Sequence, residues 1–324
     1  MKRRHLLNTA LGLGAATAIP AWSQSYPNAS IKVIIPSAPG GLTDPIVRFL
    51  GDAMQRSMGQ SVVMEHRAGG GGIIGMQQVM RSAPDGYTLV MCSSGPMFLT
   101  PAMHPAIPYS FKRDFTPIGS LLTFENVLAV PVTSKANSVA DLIRMAKEKP
   151  GSVNFASAGI GASHHLSGEL FKRMAGVDIT HVPYKGSAPA QTDLIAGQVQ
   201  MMFANIPAAI NLIKTGRLRA LAVTGTQRNA ALPDVPTVAE SGIPGFSVIT
   251  AVALYGPAGI PRDIVMKLNN EVNRIWATPE GKKTLDGLYL TFTKGAPEDL
   301  GAWVDAETTK WTAVIKAAGI ESGD

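Results

Sequence analysis

One cysteine, Cys92, occurs in 324 residues. An intramolecular disulfide is therefore excluded, and so are metal sites built on paired cysteines. Cys92 follows the apolar run 87–91 and reads as a small core residue rather than a nucleophile. Aromatic residues make up only 6% of the chain, and charges are interspersed without long basic blocks. Neither a nucleic-acid stripe nor a polybasic membrane patch is indicated. Beyond residue 23 no apolar run reaches the length of a membrane span. A G-x-S-x-G nucleophile elbow is missing as well.

What is present begins with an export signal. Lys2, Arg3 and Arg4 form a basic start, residues 6–19 a mostly apolar stretch, and Ala21-Trp22-Ser23 a small-residue cleavage site. The order Arg3-Arg4-His5-Leu6-Leu7 also resembles a twin-arginine signal, so Sec and Tat export both stay open. The short apolar stretch disfavours the alternative of an uncleaved anchor. Cleavage after Ser23 leaves about 300 residues, enough for two medium domains. The formal charge of +6 includes three positive residues of this segment, so the mature chain carries about +3.

Short β-rich runs alternate with helical patterns, which implies an α/β protein with largely parallel sheets. Strands are expected at 31–35, 62–65, 88–91, 127–132, 153–156, 180–182, 201–203, 220–224 and 248–255. Helices are expected at 44–58, 73–82, 139–147, 163–175, 188–196, 208–215, 262–277 and 297–318. The last offers Leu300, Val304, Trp311, Val314 and Ile315 to one face. Two β-rich segments, 120–132 and 218–255, flank a compact central block. If both pass between lobes, residues 24–124 and 226–324 form one lobe and 125–225 the other. A chain that crosses twice makes a hinge and a cleft.

Three strand–loop–helix junctions are rich in small residues. The first, Ile31-Lys-Val-Ile-Ile-Pro-Ser-Ala-Pro-Gly-Gly-Leu-Thr-Asp44, ends a strand in glycines and opens a helix that Thr43 or Asp44 can cap. Free backbone N–H groups and a helix dipole aimed at one point suit an anion. The lack of a Lys in the loop argues against a nucleotide P-loop, and an ordinary turn is the plainer alternative. Ser93-Ser94-Gly95-Pro96 is the second junction, and Ser157-Ala158-Gly159-Ile160-Gly161-Ala162-Ser163 the third. Ligands gather at the carboxyl ends of strands in open α/β sheets, so these loops place amides on both jaws of a cleft.

Other motifs are less specific. Gly70-x-Gly72-x-x-Gly75 matches a dinucleotide fingerprint but follows the second strand and lacks the acidic partner, so it reads as a loop before a helix. Ser163, His164 and His165, with Asp178 or Glu169, invite a hydrolase reading. Neighbouring residues on a helix point about 100° apart, which sets Ser and His badly for it. A ligand hydrogen bond from His164 or His165 is the better use, and His165/Glu169 is an i,i+4 packing contact. Lys185 and Tyr184 offer a cation and a ring wall, or a solvated lysine beside a packed tyrosine. Asn205 reads as a helix N-cap ahead of a ligand donor.

Six ordered motifs carry a family resemblance. They are Pro39-Gly40-Gly41-x-x-Asp44, Ala83-Pro84-Asp85-Gly86-Tyr87-Thr88-Leu89 and Ala156-Ser157-Ala158-Gly159-x-Gly161. The others are His165-Leu166-x-Gly168-Glu169-Leu170-Phe171, His181-Val182-Pro183-Tyr184-Lys185-Gly186 and Leu232-Pro233-Asp234-Val235-Pro236-Thr237. Together they resemble the Bug (TctC-type) substrate-binding proteins of tripartite tricarboxylate transporters. The resemblance implies a periplasmic, two-domain Venus-flytrap receptor, type II-like, that delivers a small organic acid anion to a membrane permease. A monomer is implied, with no cofactor, no metal and no nucleic-acid partner.

The resemblance also implies two pincer loops on one carboxylate, partly through ordered waters. Here they are Ser37, Ala38, Pro39, Gly40, Gly41 and Asp44 against Ser157, Ala158, Gly159, Gly161, Ala162, Ser163, His164 and His165. Ser93, Ser94, Tyr184, Lys185, Ala204 and Asn205 complete the candidate site. Ser37 stands where a large aromatic is frequent, and Ala162 and His164 where small hydroxyl residues are frequent. Ala204 stands where relatives often carry an Asp suited to a ligand ammonium. An amino-acid ligand is therefore disfavoured against a mono-, di- or aromatic carboxylate.

Overall fold

The computed structural model describes residues 26–103 and 106–318. The expected export signal lies outside them. In chain order the elements are β1 (Ile31–Ile35), α1 (Thr43–Met58), β2 (Val62–His66), α2 (Ile73–Met80), β3 (Thr88–Ser93), α3 (Thr100–Met103), α4 (Phe111–Asp114) and β4 (Phe115–Pro131). There follow α5 (Val139–Glu148), β5 (Val153–Ser157), α6 (Ser163–Ala175), β6 (Ile179–Pro183), α7 (Ser187–Ile195), β7 (Met201–Asn205), α8 (Ile206–Lys214) and β8 (Leu218–Val223). The chain closes with β9 (Ile249–Pro257), α9 (Arg262–Ala277), α10 (Pro279–Leu288), β10 (Thr291–Thr293) and α11 (Pro297–Ala318). Among the described residues no helix is long and apolar enough to cross a membrane.

One curled sheet runs through the molecule in the order β2-β1-β3-β9-β4-β7-β5-β6, with β8 and β10 also paired to β4. The outer strands follow the βα pattern and pair in parallel: β1 with β2 and β3, β5 with β6 and β7. The inner ones do not. β4 and β9 run antiparallel to each other and to every other neighbour. The expectation of largely parallel sheets thus fails at the centre. A strand that carries the chain across from one lobe to the other has to run against the βα units it leaves.

β4 is 17 residues long, roughly 55 Å at ordinary strand rise. Up to Glu125 it pairs with β9, and from Asn126 it pairs with β7. The two lobes therefore share a seam at Glu125 and Asn126, with the return crossing between β8 and β9.

Three apolar clusters cover the sheet. One joins it to α1 and α9 through Ile46, Val47, Leu50, Leu268 and Trp276. A second joins it to α7 and α8 through Leu194, Ile206 and Ile210. The third spans both lobes under α2, α6 and α11. Leu300, Val304, Trp311 and Ile315 of α11 are buried in that third cluster, with Val314 packed alongside, as the helical period predicts. Full burial of each such side chain contributes about 1.5–3 kcal/mol. Because α11 touches both α3 and α6, it straps one lobe to the other.

Candidate functional site

One sheet carries the first and third junctions. Ile34 is level with Val90, Val90 with Tyr255, and Thr250 with Phe124. Asn126 is level with Asn205, and Ala156 with Met202. Loop 157–163 sits at the seam: Asn205 Nδ2 donates to Ser163 Oγ and to Asn126 Oδ1, and a Cβ on Gly161 would meet Met103 of α3. Loop 37–41 leaves β1 beside the glycines that back α3: a Cβ on Gly72 would meet Pro36 O and Pro96, and one on Gly71 would meet Thr100. The first turns of α1 and α6 open from those loops, so each loop carries the positive end of a helix.

The amides of Gly40, Gly159 and Gly161 are not free donors. Gly40 N–H donates to Asp44 Oδ2 at 2.7 Å, so Asp44 holds the loop instead of capping α1. Leu42 occupies the cap position, and no side chain caps it. Gly159 N–H donates to Ser157 Oγ at 3.1 Å, and Gly161 N–H to His165 Nδ1 at 3.1 Å. Among the described residues of the two loops, the amides left without a protein acceptor include those of Gly41 and Leu42 and of the first turn of α6. Gly40 and Gly41 face open space: a Cβ on either meets no atom within 4 Å. Ser37, Ala38, Pro39, Gly40 and Gly41 are exposed, as is Ile160 on the facing loop.

His66, at the end of β2, was not singled out by sequence. Its Nδ1–H donates to Ser37 O at 2.9 Å, and Nε2 lies 3.5 Å from Asp44 Oδ1. The first loop is therefore tied at Ser37 by His66 and at Gly40 by Asp44. The Gly70-x-Gly72-x-x-Gly75 segment braces the same loop from behind. A Cβ on Gly75 would sit 2.8 Å from Pro36 Cβ, so glycine there lets α2 approach the end of β1.

Histidines tie the second loop too. His181 Nε2 meets Ser157 Oγ at 2.6 Å, and that hydroxyl also reaches Gly159 O at 3.0 Å. Burial lowers His181 to about 4 and His164 to about 4. Burial, then the neighbouring His181, lowers His165 to about 3. All three rings are neutral at pH 7. His165 Nε2 lies 3.8 Å from Glu169 Oε1, whose carboxyl burial pushes upward. With a neutral ring this is a packing contact, not an ion pair. Close seating of α6 on β5 needs Gly168, where a Cβ would collide with the Phe155 ring.

Several candidates lie elsewhere than expected. Ser94 is buried, with Oγ accepting from Ala251 N–H at 2.8 Å, so it pins β9 rather than facing a ligand. Ser157 is fully buried and occupied by the loop. Tyr184 turns its hydroxyl to Asp193 Oδ2 at 2.8 Å, against α7. Lys185 is exposed and Ser93 half-buried. Ala204 is fully buried in the α7/α8 cluster, so the argument drawn from it about amine-bearing ligands lapses. Asn205 occupies the cap position of α8 without capping it; its Nδ2 donates to Asn126 Oδ1 at 2.6 Å and Ser163 Oγ at 3.3 Å.

A hydrolytic triad is not assembled. Ser163 bonds Asn205, His164 Nε2 lies 3.4 Å from Ser187 Oγ, and His165 is held by Gly161. Ser157 and His181 are close, but the hydroxyl is buried. Burial also pushes the Cys92 thiol up, which leaves it a core residue.

Two α/β lobes joined through β4 and β9, each with a glycine-rich loop opening a helix, give the architecture of a periplasmic-type solute-binding protein. Residues 46–320 match the family described as "Tripartite tricarboxylate transporter family receptor", and the chain belongs to it. It is similar to the "UPF0065 protein in tcbD-tcbE intergenic region" of Pseudomonas sp. (strain P51), 39% identical over 97% of this chain and 94% of that protein. Among solved structures it is similar to R. palustris Rpa4515 with adipate: TM-score 0.84, 35% identity, over 91% of this chain and 99% of that one. MatC (Rpa3494) from Rhodopseudomonas palustris with bound malate gives TM-score 0.80 and 31% identity, over 90% of this chain and 100% of that one. The matched family is one of receptors, not enzymes.

Proposed function

We propose that this protein captures a small organic carboxylate between its lobes and delivers it to the membrane permease of a tripartite transporter. The observation that carries the reading is a pair of glycine-rich loops, 37–41 and 157–163, one on each lobe, with unpaired amides at the starts of α1 and α6. The adipate and malate bound by the two similar receptors support the ligand class. Residues 24–124 and 226–324 act as one jaw, 125–225 as the other, and the chain works as a single copy. Residues 1–23 direct export by the Sec or Tat route.

A thermal-shift panel of mono-, di-, tri- and aromatic carboxylates on ligand-free protein tests this. An acid present at 100 times its Kd adds roughly 2.7 kcal/mol of stability. The reading is lost if no acid in the panel raises the melting temperature.

A further inference from the structure

One buried hydroxyl in the floor of the cleft has no partner. Thr250 is the second residue of β9, is 5% exposed, and its Oγ1 meets no hydrogen-bonding group. In the register Thr250 lies directly opposite Phe124, so the two share a face. By the period of two that face continues to Asn126, and across the next pairing to Asn205. It is the side on which Val252 and Leu254 pack against α1, whose first turn borders the cleft.

Its polar neighbours are all engaged. Asn126 Nδ2 donates to Ser167 Oγ and its Oδ1 accepts from Asn205. Ser94 Oγ holds Ala251 N–H, and Thr224 Oγ1 accepts from Asn126 N–H while donating to Val248 O. Thr250 alone in this row keeps its hydrogen-bonding capacity unused. Valine has the same shape and β preference and leaves no buried polar atom behind. Folding therefore gives no reason for the hydroxyl.

We propose that Thr250 is a specificity-determining residue whose hydroxyl bonds a second oxygen of the bound acid, selecting dicarboxylates over plain alkyl carboxylates. This rests on the carboxylate reading above. One end of the ligand lies against the α1 and α6 turns, and the far oxygen reaches Thr250 on the floor.

The test is calorimetric titration of ligand-free protein with adipate and hexanoate, which share a six-carbon chain and differ in the second carboxylate. Wild type binds adipate more tightly. In Thr250→Val the adipate affinity falls roughly tenfold, as expected for one lost hydrogen bond. Hexanoate affinity stays unchanged, and Thr250→Ser retains the adipate preference. Ligand-free Thr250→Val melts higher than wild type, because an unsatisfied buried hydroxyl is gone. Unchanged adipate affinity, or equal losses for both acids, overturns the assignment while leaving the carboxylate reading intact. Failure of wild type to bind any acid of the thermal-shift panel overturns that reading itself, and this one with it.

Discussion

His165 and His181 lie face to face, ring centroids 3.9 Å apart and planes 15° from parallel. Phe155 stacks against both rings, its centroid 4.9 Å from His181 and 6.4 Å from His165. An imidazole that accepts an N–H at Nδ1 carries no proton there, and two stacked imidazolium rings repel. The stack is therefore a neutral post on which the second loop rests. Unfolded histidine titrates near about 6.5, against about 3 and about 4 for these folded rings. As pH falls the unfolded chain binds protons first. The contribution is full above about pH 6.5 and is lost as pH drops towards 4. Urea midpoints measured from pH 7.5 to 4.5 should fall, and His181→Phe, which keeps the stack but not the proton site, should fall less. Equal slopes would exclude His181 from the effect.

Gly41 has open space where a side chain would point. Gly41→Val should leave stability within about 0.5 kcal/mol, as for other surface changes, since no native contact is disturbed. Carboxylate affinity should fall at least tenfold, because the branched side chain stands where the acid approaches the amides. Paired denaturation and calorimetry separate the two effects.

Asp44 stands beside the proposed anion site, where its carboxylate serves as a tie for Gly40. Asp44→Asn keeps an acceptor for that amide and should hold affinity within about threefold. Asp44→Ala releases the loop and should cost about tenfold, the scale of a charge-assisted hydrogen bond. Equal affinities for the two variants would show that the tie does not shape the site.

Gly161 adopts φ +76°, and a Cβ there would collide with the Met103 methyl across the cleft. Gly161→Ala should therefore destabilise by about 1–3 kcal/mol. Part of the loss is backbone strain and part is collision. Met103→Ala removes only the second, so the double variant should recover stability relative to the simple sum. Strict additivity in denaturant melts would mean that Met103 is not the obstacle.

Much of the fold was legible because βα units write themselves in local periods. β1, α6, α9 and α11 begin and end where apolar spacing and glycines place them. α10 and β10 were missed: Pro279–Leu288 is short and polar, and Thr291–Thr293 is a strand only because β4 offers an edge. The two loops were legible as glycine-rich strand–helix junctions, but not how their donors are used. Whether Gly40 N–H is free or taken by Asp44 is decided by a four-residue turn that pattern does not encode. His66 and Thr250 left no local signal, since each acts on residues brought close only by strand register. Ala204 misled for the same reason: its face of β7 is set by the partner strands.

The seam that joins the lobes also sets the order in which this molecule can be completed. Ser94 closes on Ala251, 157 residues further along the chain. Until β9 arrives, β3 presents an open edge and β4 lacks its neighbour on that side. A chain emerging from its N-terminus can finish the β5–β7 lobe early, while the first lobe waits for the last third of the sequence. Such non-local pairing makes for slow folding and a long-lived sticky edge. Chaperone demand during biogenesis should therefore concentrate on residues 31–93, the part of the protein that is made first and finished last.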